Sequence, residues 1–448
     1  MSSNKTNTNL ANLKKELTLP MVFCVALKQV IGGGVIALTG VAIGMTGAGV
    51  PIAYAIAACT SILAGIPFAI LSSAMPVTGG TYTWPTRLIS PMTGFLNLWF
   101  FFLTNVALSL YALTASDYIK VFYPDLPTAP LAFVILTVFF LLNMSGAKST
   151  AKVGMVLTLI MSSAILLFIF VGLPQINPEN FNNMLSNGAL ALMSAAGLLL
   201  FTTGGAAMVS ELGGEMKNPG RDIPIAIIGA TSVAALVYIL ASTVAAGVLP
   251  INIVAGKPLT LVAEEIMGKW SFLYFSIGAG IISVLGIINT QMLWGSKSLL
   301  VACDDNWLPR KLGAVNKRFG TPHFLLTGLY LVGIFPIVTG LSVKEIAIAA
   351  NITAIVAQLT VIISCYMLFR KHPEIYNKAL FKIRNPFILL AIVIVALSLN
   401  SFLIVNLFIL EATWFTALVM AGWLGIGIII GYTRKGVALE NKVETVSA

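Results

Sequence analysis

The chain has 448 residues, of which 58% are hydrophobic and only 9% charged, and its mean hydropathy is +0.95. A soluble globular domain carries roughly 45–50% apolar and about 25% charged residues. So little charge cannot clothe a water-facing surface of this size, which excludes a soluble enzyme, a disordered chain and a collagen-like fibre. The solvent that suits such a composition is a lipid bilayer. A helix needs about 20 residues to cross a ~30 Å hydrocarbon core, so the length accommodates about a dozen crossings and no sizeable soluble domain. An outer-membrane barrel is excluded too, because the apolar residues run continuously instead of alternating. The formal net charge of +10 sits in short loops between apolar runs, so it reads as a topology signal and not as a nucleic-acid surface.

The N-terminus, MSSNKTNTNLANLKKELTLP, is polar and lacks the short apolar region and cleavage site of a signal peptide. Twelve apolar stretches follow, at 20–45, 47–74, 92–119, 128–145, 150–173, 189–210, 223–249, 271–300, 323–341, 345–369, 386–409 and 413–432. An even number puts both termini on one side. Lys14, Lys15, Arg87, Lys148, Lys152, Lys217, Arg221, Arg310, Lys311 and the basic residues of 370–384 and 434–435 all fall on that side, against Lys120, Lys257, Lys269 and Lys344 on the other. The positive-inside rule then makes both termini cytoplasmic.

Two spans carry glycine clusters. The first reads VALKQVIGGGVIALTG, with Gly32, Gly33 and Gly34 at mid-membrane; the sixth reads LLLFTTGGAAMVSELGGE, with Thr202, Thr203, Gly204 and Gly205 at similar depth. A helical glycine costs about 1 kcal/mol relative to alanine. One such cluster is explained by close helix packing. Two of them, five spans apart and in oppositely directed helices, fit an inverted repeat whose halves each open with a discontinuous helix. Unwound backbone offers N–H donors at one half-helix start and carbonyls at the other half-helix end, which together suit the carboxylate and ammonium of a small amino acid. The expected cradle uses the N–H groups around Gly32, Gly33 and Gly34 for the carboxylate. Carbonyls near Ile31, Phe201 and Thr202 take the ammonium, with Thr203 and Gly205 completing the site.

Four segments make the sequence recognisable: IGGGV (31–35), MPVTGGTYTW (75–84), GEMKNPGRDIPIAI (214–227) and WLPRKLGAVNKRFGTP (307–322). In order and over essentially its whole length, the chain resembles the amino acid–polyamine–organocation (APC) transporter superfamily. The resemblance implies an all-α polytopic protein with twelve transmembrane helices: a LeuT-type 5+5 inverted repeat with discontinuous helices 1 and 6, plus two extra C-terminal helices. The implied divisions are a cytoplasmic tail (1–19), a first repeat (20–173), an external loop (174–188), a second repeat (189–369), two further spans (386–432) and a second cytoplasmic tail (433–448). Phe201 falls where the family places an aromatic gate over the substrate. Two departures stand out. Ala207 replaces a glutamate associated with cationic substrates, and Met161 replaces the span-5 lysine of proton-coupled neutral amino acid members.

A lysine near the bilayer centre costs about 2.5–3.5 kcal/mol on insertion scales. Lys28, four residues before Gly32, either snorkels to the cytoplasmic interface or stands in for the missing span-5 lysine, its ammonium filling the cation position between spans 1, 5 and 8. Glu211 and Glu215 are expected to pair with Lys217, Arg221 or Arg310, as an inner gate or as a solvated salt bridge. Lys297 reads as an interfacial anchor. Thr104, Asn105, Ser283, Asn289 and Asn351 are polar candidates for the pocket or for interhelical contacts. A short amphipathic run at 259–267 is expected to form an external lid helix. The four cysteines lack metal-ligand spacing and His323 and His372 are far apart, so no cofactor or metal is expected.

The expected function is secondary active transport of a small, neutral amino acid across the plasma membrane by alternating access, as an exchanger or as a symporter coupled to protons or sodium. The alternative within the class is a cationic amino acid or polyamine antiporter. A channel would need a continuous polar pore, and an intramembrane enzyme would need acid–base groups or metal ligands at depth. The oligomeric state is left open.

Overall fold

A computed structural model of the chain describes residues 9–32, 34–185, 187–341, 343–406 and 414–440. Among these residues the regular structure is helical, with three isolated bridges and no strand. The helices are α1 (Leu19–Val30), α2 (Gly34–Thr46), α3 (Val50–Ala74), α4 (Gly80–Leu88), α5 (Pro91–Leu103), α6 (Ala107–Lys120), α7 (Thr128–Met144), α8 (Ala147–Gly172), α9 (Gly188–Thr203) and α10 (Pro219–Gly247). Then come α11 (Ile251–Val254), α12 (Thr260–Ile266), α13 (Lys269–Phe275), α14 (Ile282–Gly295), α15 (Lys297–Asp304), α16 (His323–Thr339), α17 (Val343–Lys371), α18 (Pro373–Lys378), α19 (Pro386–Asn406) and α20 (Trp414–Glu440). Nine helical segments of the described residues are long and apolar enough to cross a membrane, and three shorter apolar helices, Thr128–Met144, Gly188–Leu200 and His323–Thr339, accompany them.

The apolar stretches are not all single helices. The first divides into α1, which ends at Val30, and α2, which starts at Gly34, and the sixth ends as α-helix at Thr203, beyond which the chain winds in tighter 3₁₀ turns. The third tightens to a 3₁₀ turn at Thr104–Val106, and the eighth carries a π turn at Ser276–Ile281 between α13 and α14. Nothing in the apolar pattern of SIGAGI announces the π turn. The amphipathic run at 259–267 does form a helix, α12, with Val262 and Ala263 buried and Glu264 and Glu265 exposed. Ahead of it, Gly256 and Leu259 donate N–H bonds to the carbonyls of Gly40 and Ile36, which seats this segment on α2.

Lipid is as apolar as leucine, so close packing has to do what burial does in water. The seam between α3 and α10 carries many small side chains, with Ala53, Ala57 and Ala58 buried on α3 and Ala230, Ala234 and Ala241 buried on α10. At the periphery, Trp99 of α5 and Trp423 of α20 stack at 4.5 Å, and each indole N–H donates to the other's backbone carbonyl (2.7 and 2.9 Å).

One end of the molecule is closed by the segment after α9. Its two 3₁₀ turns, Ala206–Glu211 and Gly213–Glu215, bridge Leu212 to Thr78 and Met216 to Leu17. Four residues apart on an α-helix, Glu211 and Glu215 would share a face. At three residues per turn they diverge. Glu215 therefore meets Lys297 of α15 at 2.8 Å, while Lys217 and Arg221, its expected partners, are exposed at the start of α10, and so is Arg310. Lys297 is itself only 3% exposed, so the interfacial-anchor reading is corrected. Glu211, wholly buried, accepts from the Thr81 backbone N–H (2.8 Å) and the Ser298 hydroxyl (2.5 Å). It thereby caps α4, whose own N-cap, Gly79, supplies no side-chain oxygen. Burial raises the Glu211 carboxyl above its ordinary pKa, and the donors from Ser298 and Thr81 oppose the rise.

Removing one partner of a buried ion pair leaves an uncompensated charge, which costs about 3–5 kcal/mol. Lys297→Met should therefore lower the thermal midpoint of the detergent-solubilised protein sharply. Adding Glu215→Gln to it should recover most of the loss, because the stranded carboxylate is then gone. A double variant no more stable than the single one would show that the pair is not what holds this end.

Candidate functional site

The two interrupted helices meet. Ile31 leaves helical geometry (φ −80°, ψ 102°) while its N–H still closes the last turn of α1 on the Leu27 carbonyl (2.7 Å). Beyond it, Gly32 offers its carbonyl to Val35, and α2 starts at Gly34. Gly33 lies outside the described residues, as does the side chain of Phe201, whose backbone belongs to the last turn of α9. On the other strand of the crossing, Gly204 is extended and Gly205 is left-handed (φ 107°). A Cβ on Gly205 would be strained by that φ and would also fall 2.8 Å from the Gln29 carbonyl of α1. Gly34 and Thr202 are similarly close, since a Cβ at Gly34 would lie 2.8 Å from the Thr202 methyl.

One side chain joins the two breaks. Tyr238 of α10, fully buried, donates its hydroxyl to the Val30 carbonyl at the end of α1 (2.9 Å), with the Thr202 carbonyl at the end of α9 3.4 Å away. These are helix-end acceptors that have no partner within their own helices. Its ring lies 5.1 Å from that of Tyr54, whose hydroxyl shares a 2.8 Å hydrogen bond with Thr39; Thr39 donates to the Val35 carbonyl (2.5 Å). A chain of hydroxyls thus runs beside the break. Sequence reasoning passed over these residues, although a tyrosine at mid-depth in an apolar run (LVYILAS) needs a partner for its O–H and so carries a signal.

The expected threonines divide. Thr202 bonds back to Leu199 (2.8 Å), leaving its carbonyl toward Tyr238, whereas the Thr203 hydroxyl faces Ser61 of α3 (2.7 Å). Among the other polar candidates, Asn289 donates to the Thr150 carbonyl while its own side-chain oxygen is buried without a partner, and Ser283 donates to Gly280; Thr104 pairs with Thr353 at 3.1 Å, Asn105 donates to Phe102, and Asn351 is half-buried on α17. A further unforeseen contact is Gln29, whose side-chain oxygen accepts from Thr290 (2.9 Å) and Trp294 (3.3 Å) of α14. Just below the break, α1 is therefore fastened to α14.

Lys28 does not snorkel. It is wholly buried, and its Nζ lies 3.0 Å from the Met161 sulfur on α8. A Cβ on Gly286 of α14 would overlap the end of the lysine side chain, so a larger residue there would have to displace it. The ammonium thus sits among α1, α8 and α14, and no carboxylate of the described residues lies within ion-pair distance of it. The two positions singled out together in the sequence, Lys28 and Met161, are in contact.

Comparison with known proteins agrees with this architecture. A family model described as amino acid permease matches residues 17–430. The branched-chain amino acid permease BcaP of Bacillus subtilis is 26% identical over 95% of this chain and 94% of its own length. The methylthioribose transporter of the same organism is 28% identical over 94% and 92%. The chloroplastic cationic amino acid transporter 9 of Arabidopsis thaliana is 25% identical over 64% of this chain and 54% of its own length. A match across nearly the whole chain, on a helical protein whose apolar segments suit repeated crossing of a bilayer, has one meaning: the chain belongs to the amino acid permease family and is a multi-pass membrane transporter, not an enzyme.

Proposed function

We propose that the protein is a secondary amino acid transporter for a neutral amino acid, working by alternating access around the paired helix breaks. The observation that carries this reading is the Tyr238 hydroxyl set between the end carbonyls of α1 and α9. Those carbonyls are suited to an α-ammonium, and the N–H groups opening α2 to an α-carboxylate. Neutral cargo is favoured because residues 31–34 and 202–207 contain no acidic side chain to hold a second positive charge. The two relatives that match nearly end to end, a branched-chain amino acid permease and a methylthioribose transporter by name, also favour uncharged or zwitterionic solutes. Nine long and three short apolar helices support twelve crossings. The glycine clusters opening spans 1 and 6 support a 5+5 inverted repeat, and the lysine and arginine distribution supports cytoplasmic termini in the plasma membrane.

Lys28 supplies the internal cation of this reading. Its ammonium stands between the first half-helix and the elements α8 and α14, and neither Met161 nor Gly286, which face it, titrates. A proton on Lys28 then takes the place of a bound inorganic cation, which makes the transporter proton-responsive and sodium-independent.

Three outcomes test these statements. Proteoliposomes preloaded with unlabelled leucine should accumulate labelled leucine, isoleucine or valine saturably and faster than empty vesicles, whereas arginine and putrescine should not exchange. Counterflow of arginine or putrescine alone would replace the neutral reading, and linear flux without trans-stimulation would indicate a channel. Tyr238→Phe keeps the ring and loses the hydroxyl that pre-sets both helix ends; a hydrogen bond worth about 1 kcal/mol predicts an approximately fivefold rise in KM. In Lys28→Met, exchange should persist while net uptake driven by a pH gradient falls about tenfold or more, the usual size of a coupling energy. Unchanged pH dependence in that variant would remove Lys28 from the coupling.

A further inference from the structure

Residues 370–384, RKHPEIYNKALFKIR, join α17 to α19, and both of those helices are long and apolar enough to cross a membrane. The stretch holds five basic residues, Arg370, Lys371, Lys378, Lys382 and Arg384, and one acid. That acid, Glu374, faces the His372 ring at 3.5 Å, and no carboxylate of the described residues lies within ion-pair distance of the five cations. The positive-inside rule asks only that such charges stand near the ends of spans. Here the fold also decides which way they face.

The connection is closed on itself and tied to α3. Tyr376 is buried, its ring edge-on to that of Phe369 at 5.2 Å. Its hydroxyl donates to the Ile383 carbonyl (2.9 Å) and accepts from the Ile383 N–H (3.2 Å), while the Phe381 N–H donates to the Ser73 hydroxyl at the end of α3 (2.9 Å). Between these anchors, inward and outward residues alternate. Ala379 is buried and Phe381 and Ile383 pack against the core, whereas Lys378, Leu380 and Arg384 are exposed and Lys382 is half-buried. The Lys382 ammonium bonds to the Asn377 carbonyl, which brings it back to the turn that carries Lys378. Beside the cations stand two apolar side chains that the described residues leave open: Leu380, 78% exposed, and Phe387 in the first turn of α19, 79% exposed.

A soluble acidic partner would neutralise the cations and leave Leu380 and Phe387 in water. Hydrocarbon alone would cover those two and leave the cations without counter-ions. An anionic phospholipid supplies both in one molecule, and the ends of two spans set the connection at headgroup depth. We propose that Lys378, Lys382 and Arg384 form a binding face for the phosphate headgroup of an anionic phospholipid whose acyl chains lie against Leu380 and Phe387. The lipid then holds the α17–α19 connection on the end of α3. The transport reading above enters only in naming the leaflet, the cytoplasmic one.

The test is thermal protection of the full-length, detergent-solubilised protein by added phosphatidylglycerol or phosphatidylcholine, since a lipid that binds the folded state raises its thermal midpoint. The parent should be half-protected by phosphatidylglycerol at a concentration at least tenfold below that of phosphatidylcholine. A basic residue near an anionic headgroup contributes about 1 kcal/mol, so each of Lys378→Gln, Lys382→Gln and Arg384→Gln should raise that concentration about fivefold. The triple variant should respond to the two lipids alike. A control triple, Lys152→Gln, Lys217→Gln and Arg221→Gln, removes three other exposed cations and should behave as the parent does. Should the first triple not yield folded protein, Arg384→Gln alone carries the test. Equal protection of the parent by both lipids overturns the proposal, as does a folded Arg384→Gln or triple variant within twofold of the parent, or a control triple that loses the preference equally. Inorganic phosphate protecting as well as phosphatidylglycerol would overturn the lipid as occupant. Failure of leucine counterflow bears on the transport reading alone.

Discussion

The structure depends on one constraint: inside a bilayer every backbone N–H and C=O must find a partner within the protein. Helices meet it everywhere except at their ends, and here α1 and α9 end well inside the apolar part of the chain. The carbonyls so released cannot turn to lipid. Tyr238 takes the one from Val30 and reaches toward that from Thr202, and the hydroxyls of Tyr54 and Thr39 extend the same polar line to α2. A pair of helix ends whose partner is a single tyrosine O–H is only partly satisfied, because one hydrogen cannot serve two carbonyls fully. That deficit is what the ammonium of the proposed amino acid substrate, with several N–H donors, would fill.

The same constraint explains which parts of the site could be read from the sequence. Backbone events have a residue signature. Glycine clusters mark where a helix cannot be kept regular, and the breaks fall at them: α1 stops before Gly32, and α9 before Gly204. Lys28 was legible for a similar reason, since a charge in an apolar run has few explanations, and its contact with Met161 follows the exchange of residue types between the two positions. Side-chain closures were less legible. The pairing of Glu215 with Lys297 depends on the pitch of residues 206–215, and 3₁₀ winding there comes from tertiary pairing with Leu17 and Thr78. No local pattern in AAMVSELGGE encodes it. Gln29 was missed because one uncharged polar residue in a helix has too many possible partners for sequence to choose Thr290 and Trp294.

Fastenings to α1 come from three directions, and they differ in chemistry. Gln29 bonds to α14 through neutral donors, the buried Lys28 stem fits the gap left by Gly286, and the residues leading into α1 reach the Asp304 carboxylate through Asn9 and Leu10. Neutral hydrogen bonds of about 1 kcal/mol each are exchanged readily for bonds to water or ligand. None of the three is large enough alone to immobilise a half-helix.

The distribution of buried charge carries the synthesis one step further. Glu215 and Lys297 are buried as a pair, and Glu211 is buried with two donors and the start of α4 before it. Each of these charges has a partner that offsets the loss of water, as stability requires. Lys28 differs from these three: wholly buried, it faces a thioether, a weak acceptor that repays little of an ammonium's hydration. Packing does not explain the choice, because a methionine or leucine in that gap would fill the space left by Gly286 without a charge to desolvate. A group that weakens the resting fold, and for which the neighbouring helix gives up its side chain, is better accounted for by a state in which the proton matters. That is the physical ground for the proposal that Lys28, at the junction of the first half-helix with α8 and α14, carries the coupling.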